Sequence, residues 1–169
     1  MTITTCVFDA YGTLFDVGSA ARRLAEKPGH DRLAAVWAAL AEDWRLKQLQ
    51  YSWLRAVTGQ HCPFWQVTQD GLDWALERHG LADDPALRED LLALYWELAA
   101  YREVPQMLAT LKAMGKDCAI LSNGSPDMMR PRRVIHTRQR KRIAAAMQAA
   151  TNASHTVPCA QPATVTPKA

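Results

Sequence analysis

Asp9 follows an apolar, β-branched segment at residues 3–8 (ITTCVF), and Gly12 and Thr13 lie three and four positions further on. A carboxylate fixed by a strand terminus is equipped for nucleophilic attack when a glycine beside it lets backbone N–H groups approach an anion and a hydroxyl can orient it. The same residues also suit a plainer role, because aspartate commonly caps the turn that ends a strand. A second polar cluster, Ser122, Asn123, Gly124 and Ser125, follows a second apolar segment at 117–121 (DCAIL). Ligands of open α/β sheets bind beyond the carboxyl ends of the strands, so the two loops are expected to converge on one site.

Positioning those loops takes two buried strands, and short apolar runs bounded by polar turns predict them at 3–8 and 117–121. Between residues 19 and 100 the periodicity becomes helical: Val36, Trp37, Leu40 and Trp44 recur three or four apart, as do Leu72, Ala75, Leu76 and His79. Gly29, Gly59 with Pro63, and the stretch 80–85 divide this insertion into about four helices. Residues 104–114 predict a further helix, closed by Gly115. Ser125, Pro126 and Asp127 are the types favoured at a helix start, as cap, first residue and partner of the positive helix end. Strand, helical insertion, helix and strand together predict an α/β fold.

The 169 residues are 49% hydrophobic and 22% charged, a globular balance that argues against a fibrous or wholly disordered chain. The charge is uneven. Residues 1–129 hold 12 of the 20 Lys and Arg and all 17 Asp and Glu, a net charge of −5; residues 130–169 hold eight basic residues and no acid, a net charge of +8. All six Trp, four Tyr and three Phe precede position 102, so this tail brings no aromatic side chain to a core. Residues 138–150 read as a short Arg/Ala-rich helix, and 151 onward, with Pro158, Pro162 and Pro167, as disordered. No run approaches the roughly 18 apolar residues of a membrane span, and the N-terminus lacks the pattern of a cleaved signal. A soluble, cytoplasmic protein with no membrane partner is the expectation. Cys6, Cys62, Cys118 and Cys159 form no CxxC pair and have no zinc-like His spacing, so they read as reduced core thiols rather than metal ligands.

FDAYGTLFD at 8–16 resembles the first motif of the haloacid dehalogenase superfamily, and AILSNGSPDM at 119–128 resembles its second. Between them WRLKQLQYSWLR at 44–55, FWQVTQDGLDWAL at 64–76 and the YREVP turn at 101–105 are similar to the helical cap of the type II 2-haloacid dehalogenases. The resemblance runs over residues 3–129. It implies a Rossmann-like core built from residues 1–16 and 101–129, incomplete in its parallel sheet, with 17–100 inserted as a helical cap. Phosphatases of the superfamily carry a second acid two positions after the nucleophile, where it protonates a departing oxygen; Tyr11 stands there in this chain. Halide is a weak base that leaves without a proton, so an aromatic residue at this position fits carbon–halogen cleavage and disfavours phosphate esters.

The activity implied is hydrolytic dehalogenation of (S)-2-haloalkanoic acids to (R)-2-hydroxy acids, with no metal or other cofactor. In that scheme Asp9 attacks C2 to give an aspartyl ester, which water then opens. Arg45 stabilises the departing halide, Thr13 orients Asp9, and Ser122 and Asn123 hold the substrate carboxylate and the Asp9 loop. Tyr11, Leu14, Trp44 and Gln48 are candidates to line the halogen and alkyl pocket. Apart from the resemblance, Arg45 reads as an exposed helix residue paired with Glu42 or a neighbour. The tryptophans read as core or cap-interface residues, His30, His61 and His79 as surface or satisfied ones, and Ser125 as a helix cap. The implied partners are the small haloacid, its halide, and a second copy of the chain docked through cap helices.

In the superfamily the second motif is followed by a loop bearing an essential lysine and by a Ser-x-Asn segment with a nearby aspartate. Residues 130–169 offer only Lys141 and Lys168 and no acid. Turnover is therefore expected to be impaired, and a sheet lacking later strands is expected to leave apolar surface uncovered. A tail rich in Arg, Ala, Pro and Thr is also what an unintended frame of GC-rich DNA encodes. Residues 130–169 are thus expected to be out of frame with a longer dehalogenase, an expectation refuted if neither other frame past the Met129 codon encodes the lysine loop and Ser-x-Asn segment. Two other functions stay open on sequence alone. One is a different small-molecule hydrolase on the same cap and core. The other is a non-catalytic remnant whose seven basic residues from position 130 to 142 bind nucleic acid, which the absence of interleaved aromatics disfavours.

Overall fold

The computed structural model describes residues 3–129. The readings made for 130–169, including the helix at 138–150, Lys141, Cys159 and Lys168, lie outside the described residues. Two strands, β1 (Thr5–Phe8) and β2 (Asp117–Ile120), pair in parallel with Cys6 opposite Cys118 and Phe8 opposite Ile120. Both strands end side by side, and the Leu121 N–H donates to the Phe8 carbonyl at 2.9 Å. Parallel neighbours need a long crossover, which here is helical. It comprises α1 (Ser19–Ala25), α2 (Asp31–Ala34), α3 (Trp37–Val57), α4 (Phe64–Arg78), α5 (Pro85–Tyr95) and α6 (Val104–Ala113); α7 (Pro126–Met129) follows β2.

Three helix boundaries follow their sequence signals. Asp84 caps α5 by accepting the Leu87 N–H at 2.9 Å, with Pro85 in the first turn. Gly115, at φ 68°, closes α6, and Ser125 Oγ accepts the Met128 N–H at 3.4 Å to open α7. The core lies among the helices: Leu24, Leu40, Trp44, Leu72, Leu91 and Tyr95 belong to one buried cluster. Gly71 lets α4 close on α3, since a Cβ there would stand 3.3 Å from the Gln48 backbone nitrogen.

Three expectations are corrected. The insertion holds five helices, because α2 and α3 part at Val36, a break that no Gly or Pro marks. The strands are not fully buried. Val7 is 60% exposed and Leu121, just past β2, is 74% exposed, while Cys6 and Cys118 are half-buried neighbours rather than core thiols. The exposure of Val7 and Leu121 puts apolar surface on the sheet that the described residues form. Trp53 is 62% exposed on α3, unlike the buried Trp44. No helix among the described residues is long and apolar enough to cross a membrane.

Candidate active site

The loop carrying Asp9 is closed on itself and then stapled to the rest of the chain. Leu14 and Phe15 N–H groups both donate to the Ala10 carbonyl at 2.9 Å, and Gly12 N–H donates to the Phe15 carbonyl at 2.8 Å. Gly12 holds this turn at φ 83°, a region that costs an L-residue about 1–2 kcal/mol. The Tyr101 N–H donates to the Leu14 carbonyl at 3.1 Å, fixing the loop against the segment that leads into α6. Asp9 itself is exposed, and the Thr13 hydroxyl donates to its Oδ2 at 3.5 Å. Leu14 is buried beneath the loop.

Arg45, half-buried on α3, turns towards this loop rather than towards Glu42. Its Nη2 donates to the Tyr11 carbonyl at 2.8 Å and its Nη1 to Gln48 Oε1 at 3.4 Å. Both partners are neutral oxygens, so neither hydrogen bond cancels the charge, and the guanidinium stays able to attract an anion beside Asp9. Gly12 has a second justification here, because a Cβ on it would lie 2.8 Å from Arg45 Nη2.

Behind Arg45 the aromatic and polar side chains interlock. Tyr11 stacks on Tyr95 with ring centroids 5.6 Å apart and lies 5.2 Å from Phe64; Trp44 meets Tyr95 at 5.0 Å. Trp44 Nε1 donates to the Thr68 carbonyl at 2.8 Å. Gln48, only 1% exposed, donates through Nε2 to Thr68 Oγ1 at 2.7 Å and to the Tyr95 hydroxyl at 3.0 Å. A buried amide satisfied on this many sides stabilises the fold only while every partner is present.

The β2 loop reaches the same place from the neighbouring strand. Ser122 Oγ accepts the Gly124 N–H at 3.2 Å, and Asn123 is exposed at the strand end. Gly124 packs on Tyr11 so closely that a Cβ would stand 2.7 Å from the ring's Cε2. The structure thus brings Asp9, Tyr11, Thr13, Leu14, Trp44, Arg45 and Gln48 together, with Ser122 and Asn123 at the adjoining strand end. Sequence reasoning missed Phe64, Thr68 and Tyr95. The available signal was weak: a threonine one helical turn after Phe64, and a hydroxyl-tipped aromatic inside the apolar run 91–96.

Burial pushes the Tyr95 hydroxyl up to about 12, against the hydrogen bond from Gln48 and the nearby Arg45 charge, with Asp9 adding to the rise. Tyr11 moves up for the same first reason, helped by Tyr95 and Asp9. A raised folded value means that the stabilisation is complete below the unfolded value of 10.0 and is lost as pH rises through about 12. The midpoint of urea unfolding should therefore fall between pH 10 and pH 12. Tyr95→Phe should fall less steeply across that window while starting lower by about 1 kcal/mol from its lost hydrogen bonds. Equal slopes for the two proteins would exclude this account.

Two parallel strand ends bring a carboxylate loop and a Ser-Asn loop together, with a run of helices inserted between the strands, which is an α/β arrangement. The chain belongs to the haloacid dehalogenase-like hydrolases, whose family model matches residues 3–162. It is 45% identical over 128 residues to (S)-2-haloacid dehalogenase 1 of Pseudomonas sp. strain CBS-3, covering 76% of this chain and 54% of that protein. With (S)-2-haloacid dehalogenase 4A of Burkholderia cepacia the identity is 43% over 127 residues, covering 75% and 53%. The structure of L-2-haloacid dehalogenase from Xanthobacter autotrophicus with chloropropionic acid covalently bound superposes with a TM-score of 0.64 at 36% identity, over 88% of this chain and 54% of that one. The chain spans about half the length of the curated relatives it matches.

Proposed function

We propose that this chain attacks (S)-2-haloalkanoic acids through Asp9. An Asp9 carboxylate oxygen bonds to C2, the carbon–halogen bond breaks, and the halide leaves with the electron pair towards Arg45. Water then adds to the Asp9 ester carbonyl, releasing the (R)-2-hydroxy acid and a proton and restoring the carboxylate. Thr13 orients the nucleophile, Ser122 and Asn123 hold the substrate carboxylate, and Tyr11, Leu14, Trp44 and Gln48 bound the alkyl and halogen space, with residues 17–100 as the cap over a core of 1–16 and 101–129. The observation that carries this reading is an arginine with neutral partners directed at the backbone of the Asp9 loop. The first step uses groups within 3–129. After the second motif this sequence holds only Lys141 and Lys168 and no acid, and of the two half-reactions, ester opening, which needs an activated water, is expected to be the slower. Mixing the chain with (S)-2-chloropropionate should give a burst of about one equivalent of chloride and an ester on Asp9, with the (R) enantiomer inert. A folded chain that yields neither chloride nor ester sinks the proposal.

The same reading includes a cytoplasmic location, supported by free thiols at Cys6, Cys62 and Cys118, and a homodimer through α3. Leu46, Trp53, Leu54 and Val57 lie on one stripe of that helix, with Val57 87% exposed. Trp53→Glu should weaken dimerisation about 10- to 100-fold, read by sedimentation velocity. A wild-type chain that stays monomeric at high concentration rules the dimer out.

A further inference from the structure

Thr68 fixes which end of the Gln48 amide faces Arg45. Its hydroxyl hydrogen is committed to the Phe64 carbonyl one turn back along α4, at 2.8 Å, so its oxygen is left to accept. The Gln48 group 2.7 Å away must therefore be the NH2. With that end pinned by Thr68, Oε1 is the end left towards Arg45, and the Tyr95 hydroxyl lies near both ends, accepting from Nε2 at 3.0 Å. There it accepts from Arg45 Nη1 and from the Tyr95 hydroxyl, each at 3.4 Å. A flipped amide would set its NH2 against the guanidinium and its oxygen against an acceptor. Both clashes fall in a buried site, where unpaired polar groups cost most.

We propose that Thr68 is a positioning residue for Arg45, acting through Gln48 with Tyr95 as the second anchor, and thereby sets where the departing halide is received. The proposal rests on Arg45 being the halide-receiving group. Thr68→Val keeps the volume and removes the hydroxyl, whereas Thr68→Ser keeps the hydroxyl and loses a methyl. Two readouts on the full chain separate positioning from packing. In single turnover with (S)-2-chloropropionate, Thr68→Val should slow Asp9 ester formation about 30-fold at saturating substrate with little change in the half-saturating concentration, and Thr68→Ser should recover to within about threefold. In ¹⁵N NMR without substrate, the Gln48 side-chain amide and the Arg45 guanidinium resonances should move in the valine variant and return in the serine variant. If Thr68→Val does not fold, Tyr95→Phe removes the second anchor and should shift the same resonances in the same sense by a smaller amount. Unmoved resonances in a folded valine or phenylalanine variant overturn the proposal, as does a serine variant as damaged as the valine one. A wild-type chain that forms no ester sinks the dehalogenase reading alone, and the NMR arm still decides the role of Thr68.

Discussion

Asp9→Ala is expected to abolish the covalent ester and to lower chloride release from (S)-2-chloropropionate by about 10⁴-fold or more, because no other group can replace a carboxylate that is itself the attacking atom. The loss should be purely chemical. Asp9 is exposed, and the hydrogen bond recorded to its side chain is the 3.5 Å contact from Thr13, so removing it should change folding stability by no more than about 0.5 kcal/mol. Intact-protein mass spectrometry after substrate addition checks the first point, and urea unfolding checks the second. A folded alanine variant that still gains the ester would move the nucleophile to another residue.

The parts of this site that could be read in the sequence are those set by local physics. Asp9 is legible because a strand and a glycine turn place it, and every determinant lies within a few residues. The capped start of α7 follows from signals of the same kind, whereas the parallel pairing of β1 with β2 came from the family resemblance. Arg45 is different. It sits 34 residues from the carbonyl it donates to, and helical period alone would leave it on a solvent face beside Glu42; only the family resemblance pointed it inwards. Thr68 and Tyr95 were illegible for a related reason, since they meet Gln48 across 20 and 47 residues and their polar tips sit in apolar runs that read as core. Strand burial was misjudged because a run such as ITTCVF reports what a strand is able to bury, whereas the 60% exposure of Val7 depends on which elements pack against it.

Arg45→Lys is expected to slow ester formation about 10²- to 10³-fold, the scale seen when one preorganised group is taken from a developing negative charge. Lysine keeps the charge, so the size of the loss measures geometry. The guanidinium reaches the Tyr11 carbonyl at 2.8 Å and Gln48 Oε1 at 3.4 Å through separate nitrogens, and this fork leaves its plane fixed next to the Asp9 loop. A lysine ammonium on a flexible stem has no such plane and would sit on one partner or the other. Gly12→Ala approaches the same geometry from the opposite side, since its methyl would stand 2.8 Å from Arg45 Nη2 and the backbone there is at φ 83°. It should therefore lower both stability, by about 1–2 kcal/mol, and the rate of ester formation. Both variants should leave the carboxylate intact, so the ester that does form should still map to Asp9. If Arg45→Lys forms it at the wild-type rate, the halide is received elsewhere, and the interlocked Gln48, Thr68 and Tyr95 serve the fold alone.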